Sequence, residues 1–249
     1  ETPLVGDSLV SDYSHTIRGE RRRNMKSIKM YAFLVLGFML AGLGIAISST
    51  GAQGISAWDA LGQSFAWMSG MQLGTWSAIL NCSCVLGQIL VLRKEFKPIL
   101  LLQIPLSFVL GTVCNLFGSF INVTVTSLPM GILFYLSGMF VTAIGVSLVM
   151  TINYIPFALE GFCMVLSQKV FTKIEFSRVR QSADVLSLIL IAVLSLLFKV
   201  PWSIGLGTVI GACIFGPTLG LLMKLEKPFL NFGENTQPAA DSISEPIAD

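Results

Sequence analysis

Four stretches of the chain contain no Asp, Glu, Lys or Arg: Met30 to Trp58, Ala60 to Leu92, Pro98 to Leu159 and Val200 to Met223. Each is longer than the ~20 residues that carry a helix across a bilayer. A transmembrane barrel would alternate apolar and polar residues in segments of roughly ten. Runs such as Ile99-Leu100-Leu101-Leu102 show no alternation, so the pattern predicts helices. Spans are expected near 30–48, 74–92, 98–121, 128–150, 182–198 and 202–223. Two further helix-like stretches, 55–69 and 155–169, are read as half-length, re-entrant or interfacial helices.

Composition agrees. Of 249 residues, 53% are hydrophobic and 12% charged, against about 25% charged in a soluble domain. Residues 1–29 are polar and end in Arg18, Arg21, Arg22, Arg23, Lys26 and Lys29. The apolar run after them is too long for a signal peptide and leads into more spans. It reads as a retained first helix behind a basic cytoplasmic tail. The stretch from Pro228 is acidic and rich in Pro, Asn and Ser, which predicts a disordered cytoplasmic tail over 228–249. Cys82, Cys84, Cys114, Cys163 and Cys213 sit in apolar segments and read as small packing residues. Cys82 and Cys84, two apart, point in different directions on a helix, so neither a disulfide nor a metal is expected of them.

An alternating path with the N-terminus inside leaves only Lys199 outside, so 15 of the 16 basic residues obey cytoplasmic retention of Lys and Arg. A full crossing by either short helix would break that agreement. The path gives three spans to each half, and three-helix halves necessarily enter the membrane in opposite orientations. A weak internal match supports such a division. At an offset of 101, Gly37 meets Gly138, Gly44 meets Gly145, Thr50 meets Thr151, Ala57 meets Ala158 and Asp59 meets Glu160. With two more residues in the next loop, Leu73 meets Phe176 and Asn81 meets Asp184. The fold expected is an all-α membrane protein: two inverted-topology repeats of three spans, 30–127 and 128–227, each with one short helix. Many secondary transporters are built so, with broken helices and a site at the repeat interface.

Asp59 and Glu160 are each the single acid in a long apolar stretch. An ionisable side chain at membrane depth costs about 3 kcal/mol or more unless hydrated or paired. In the first short helix Trp58, Leu61, Phe65 and Met68 form an apolar stripe. Ser56, Asp59, Gln63, Ala66 and Gly70 form a small, polar one that suits a cavity wall. In the second, Pro156 suits the first turn, with Glu160 one turn in. The competing reading is capping: Ser56-Ala57-Trp58-Asp59 has capping-box spacing, and an acid in the first turn complements the helix dipole. Arg180 and Asp184, four apart, can pair as a structural anchor; alternatively Arg178 or Arg180 contacts an anionic solute. Lys199 beside Pro201-Trp202 reads as an interfacial anchor. Gly207 and Gly211 form a GxxxG that favours close helix packing, and a helix broken at Pro217 to line an ion path is the other reading. Asn122-Val123-Thr124 matches a glycosylation sequon, and His15 stands in the polar tail without a partner in view. There is no Ser/His/Asp set, HExxH or phosphate loop, so no enzyme is expected.

Three segments carry a family resemblance: Gly54-Ile55-Ser56-Ala57-Trp58-Asp59-Ala60-Leu61; Ser177-Arg178-Val179-Arg180 with Asp184; and Gly205-Leu206-Gly207-Thr208 followed by Gly216-Pro217. Over about residues 30 to 225 the chain resembles the bacterial YczE/YyaS/YitT membrane proteins. Members show Ser-Pro-Trp-Asp where this chain has Ser56-Ala57-Trp58-Asp59, and a Pro-x-Asp-Gly type of element at Leu159-Glu160-Gly161. The resemblance implies a bacterial cytoplasmic-membrane protein with a transport-related role, and it names no solute.

The leading expectation is a secondary transporter for a small solute, proton-coupled, alternating access between inverted halves. Asp59 and Glu160 would bind solute or protons, with Trp58, Gln63, Asn81, Asp184, Arg178 and Arg180 around them. Partners are a small solute and the lipid bilayer; no nucleic acid, metal or cofactor is expected, and a homo-oligomer is compatible. The alternatives are a non-transporting accessory or regulatory membrane protein, and a channel formed where the two half-helices meet.

Overall fold

The computed structural model describes residues 5–51, 53–71, 73–121 and 123–230. The helices are α1 (Val5–Thr50), α2 (Ala57–Ser69), α3 (Leu73–Leu92), α4 (Gln103–Phe120), α5 (Leu128–Ile152), α6 (Ala158–Val165), α7 (Phe176–Phe198) and α8 (Leu206–Glu226). Six segments are long and apolar enough to cross a membrane: Ser27–Thr50, Thr75–Glu95, Pro98–Phe120, Leu128–Ile152, Phe176–Phe198 and Leu206–Glu226. The protein is thus a multi-pass, all-α membrane protein. Side chains such as Leu90, Leu196 and Leu197, more than 70% exposed, face outward, where lipid rather than water makes them favourable.

Several boundaries differ from those read in the sequence. The basic segment before residue 30 is helical from Val5 and runs on into the first span. The fifth span begins at Phe176 rather than 182, because Arg180 and Asp184, which interrupt the apolar run, find their partners inside the protein. The sixth begins at Leu206 because Lys199, at φ 54°, turns the chain and the next loop docks on the start of α2. The helix α6 starts at Ala158, so Pro156 precedes it instead of occupying its first turn. Extended backbone at Phe157, whose ring packs 4.7 Å from that of Phe38, sets that start. A π turn, Leu166–Val170, continues α6. Pro217 leaves α8 unbroken. The acidic stretch 231–249 and Asn122 of the sequon lie outside the described residues, as does the side chain of His15.

The centre of the fold is the crossing of α1 and α5. A Cβ on Gly37 would lie 2.8 Å from the carbonyl of Gly145, one on Gly44 2.6 Å from that of Gly138, and one on Gly51 2.6 Å from that of Gly131. Rising numbers on one helix meet falling numbers on the other, so the two run antiparallel at backbone contact, as small residues permit. Around this pair α4 packs on α1 and α8 on α5, while α2 packs on α3 and α7, and α6 on α3 and α7. The small residues of α8 serve packing: Gly207 and Gly211 receive the ring of Tyr135, and Gly216 and Gly220 lie against Ser177 of α7.

Both short helices are tied to the opposite half. Ser203 Oγ donates to the Ala60 carbonyl (3.0 Å), Gly207 N–H to that of Gln53 (2.9 Å) and Thr208 Oγ1 to that of Ile55 (2.8 Å). On the other short helix, Gln88 Nε2 donates to the Ala158 carbonyl (3.1 Å) and to Gln103 Oε1 (2.8 Å). Gln103 Nε2 returns a bond to Gln88 Oε1 (3.2 Å). Both glutamines are 1% exposed, and the reciprocal pair satisfies groups that would be costly if orphaned in a dry interior.

Candidate functional site

Asp184 lies eight residues into α7, about 12 Å along its axis at 1.5 Å per residue, and Arg180 one turn before it. Their ion pair joins Arg180 Nη1 to Asp184 Oδ1. Arg180 Nε also donates to Glu160 Oε1 of α6 at 3.0 Å, and its guanidinium stands 5.2 Å from the centre of the Phe215 ring of α8. All three charged side chains are buried. One guanidinium therefore binds two carboxylates, and the fork geometry of arginine allows two acceptors on separate nitrogens.

Asp59 stands at the start of α2. Ser56 caps that helix, its Oγ accepting from Asp59 N–H (3.2 Å) while its hydroxyl donates to Asp59 Oδ2 (2.6 Å). The capping geometry read from the sequence is present. Asp59 itself is half-buried, on a helix that packs against α7, the helix of Arg180 and Asp184. Two carboxylates, from α6 and α7, thus share one arginine, an excess of one negative charge when both are ionised.

Other residues named from the sequence lie around this cluster in different ways. Trp58, half-buried, packs with both short helices and with α7, and its buried indole N–H has no hydrogen-bond partner among the described residues. Gln63 and Asn81 are half-buried. Arg178 is exposed, apart from the cluster. Of the small, polar face of α2 expected to line a cavity, Ser56 and Gly70 are exposed, Asp59 and Gln63 half-buried and Ala66 buried, and none lines the cavity among α5, α6, α7 and α8. The Glu160–Arg180 bond had no local signal in the sequence; only the cost of an unpaired buried acid foretold that a cation must meet Glu160.

A cavity of about 520 Å³ opens among α5, α6, α7 and α8, with Met164 and Phe176 in its wall. Met164 comes one turn after Glu160 and Phe176 one turn before Arg180, so each shares a helix face with a member of the cluster. Thr151, another wall residue, hydrogen-bonds with Ser147 to Glu226. The cavity lies at the basic end of the bundle, where Lys169 pairs with Glu95 (2.7 Å) and Lys224 with Glu175 (3.2 Å).

Over 204 residues the chain is 25% identical to the uncharacterized protein YyaS of Bacillus subtilis (strain 168), covering 81% of this chain and 96% of that protein. No solved structure matches. The resemblance carried by the Trp58-Asp59, Arg180/Asp184 and Gly205–Pro217 segments is borne out by that likeness. Residues 28–224, which hold both short helices and every member of the ion cluster, match the family of unknown function DUF6198, and the chain belongs to that family.

Proposed function

We propose that the protein is a proton-coupled secondary transporter of a small solute, a carrier rather than an enzyme, working by alternating access between two inverted three-helix repeats. The observation that carries this reading is the buried cluster in which Arg180 joins Glu160 and Asp184, on a helix against which α2, the bearer of Asp59, packs from the other half. Buried charges that do not balance are expensive in a membrane interior and mark ion or proton pathways. Here a proton or a cation relieves the surplus, so its arrival and departure would change the energy of the contact between the halves.

The repeat draws support from the helix order and from the crossing. Each half runs long, short, long, long. At the offset of 101, exchanging the halves turns the Gly37–Gly145 contact into the Gly138–Gly44 contact, and both occur. This reciprocity is what a two-fold axis produces. It likewise exchanges α2 on α7 for α6 on α3. On this reading the basic end faces the cytoplasm, and the cavity there is an inward vestibule walled off by Met164 and Phe176. The Ser203, Gly207 and Thr208 bonds to the start of α2 hold the opposite end closed, which argues against a permanently open channel.

Proteoliposomes loaded with a pH-sensitive dye and challenged with an array of small solutes test the proposal. Solute-dependent, saturable proton movement is expected, abolished in Glu160→Gln and Asp59→Asn. Full-rate movement in both variants would make the acids structural, and unsaturable flux would point to a pore.

A further inference from the structure

The cavity at the basic end joins two kinds of surface. Its inner wall is apolar and adaptable, made by Met150, Met164, Met223 and Phe176, and methionine side chains reshape readily around an apolar guest. Its rim carries Lys224 and Lys227 against a single acid, Glu175, so the lining charges leave one positive charge in excess. The exposed Lys224–Glu175 pair is of the kind worth little to stability, so an incoming anion competes for Lys224 at small cost. Asn153 also lines the cavity; its Oδ1 accepts no hydrogen bond among the described residues and is closed off from solvent, so a turn of that unbonded side chain presents it to a guest. A ligand that satisfies all three features has an anionic head for the lysines, an N–H or O–H donor for Asn153, and an apolar body for the methionines. The volume of about 520 Å³ falls within the range of small-molecule sites.

We infer that this cavity binds an amphiphilic organic anion carrying a hydrogen-bond donor beside its head. Binding stands on the cavity alone; only the further step, that the anion is the solute class, rests on the transport reading. The same chemistry could be supplied by a free metabolite or by the headgroup and chain of an anionic lipid.

N-octanoylglycine supplies carboxylate, amide N–H and apolar chain, and octylamine reverses the charge. Calorimetric titration of the full chain in phosphatidylcholine nanodiscs should show saturable binding of N-octanoylglycine and none of octylamine. Affinity should fall about tenfold in the rim variant Lys224→Gln/Lys227→Gln, both exposed positions that tolerate the change. It should fall several-fold in Asn153→Gly, which removes the acceptor while keeping a residue suited to φ 52°. Loss of binding when phosphatidylglycerol is added to the nanodiscs would assign the site to lipid; persistence would assign it to a free anion. No binding in either lipid, or equal binding of octylamine, overturns the inference. Binding without proton-linked flux in proteoliposomes would leave the anion site standing and remove transport; flux of other solutes without it would do the reverse.

Discussion

The two short helices occupy equivalent places in the chain, yet their acids are held in opposite ways. Asp59 is tied within its own first turn, to the hydroxyl and cap of Ser56. Glu160 has no side-chain cap before it, and its carboxylate crosses to Arg180. The helices after them differ to match. Where α7 carries Arg180 and Asp184, the corresponding positions of α3, at the offset of 103, are Ser77 and Asn81. A similar scaffold thus supports a bound electrostatic unit in the second half and a lone acid in the first. A charge held by two partners resists change, whereas one held by a single hydroxyl can gain or lose a proton with less rearrangement. On the transport reading, Asp59 is the titrating member and the Arg180 cluster the fixed one.

The largest test removes the fixed member's centre. Arg180→Gln strands Glu160 and Asp184 without their cation, and loss of one partner from a buried charge set costs about 3–5 kcal/mol. Thermal unfolding of purified protein should show that loss, and the triple change Glu160→Gln/Arg180→Gln/Asp184→Asn should restore most of it. An Arg180→Gln protein as stable as the parent would mean that water, not protein, satisfies the carboxylates.

The proposed two-fold relation can be tested separately from charge. In Gly37→Ala the new methyl meets Val149 Cγ2 at 2.7 Å, and in Gly138→Ala it meets the Gly44 carbonyl at 2.5 Å. Overpacking of this kind costs about 1–3 kcal/mol, and repeat-related positions should lose similar amounts. Strongly unequal losses would count against the two-fold relation. Gln88→Met tests the clamp on α6: it leaves Gln103 without its partner, at about 1–3 kcal/mol. Ser203→Ala, the change at the clamp on α2, removes two shared bonds of a half-exposed hydroxyl and should cost less.

Local spacing and charge gaps made much of this legible. The six spans follow from stretches without charge, the Ser56–Asp59 cap from a three-residue spacing, and the Arg180–Asp184 pair from a four-residue one. What escaped depends on contacts between elements distant in sequence. Arg180 could be recognised as a partner for Asp184, but that its second nitrogen serves Glu160 depends on how α6 lies on α7. The glycine matches at 101 residues did not reveal that Gly37 faces Gly145 and Gly44 faces Gly138. The start of α7 was missed because charges count against a span only until they are paired. The cavity, formed where the ends of four helices diverge, has no signature in any one of them.

The smallest effect separates capping from chemistry in the first half. Ser56→Ala removes both the acceptor for Asp59 N–H and the donor to Asp59 Oδ2, a change that costs about 1 kcal/mol at a helix N-terminus. Asp59→Asn keeps the Ser56 acceptor and should cost less in thermal unfolding. If Asp59 only caps α2, proton-linked flux should track stability, and Ser56→Ala should be the more impaired of the two. If Asp59 carries the proton, the order reverses: Asp59→Asn is nearly as stable as the parent and inactive, while Ser56→Ala is less stable and still active. Unfolding midpoints and initial flux rates measured on the same two preparations decide between these orders, because only a titratable group separates activity from stability in that direction.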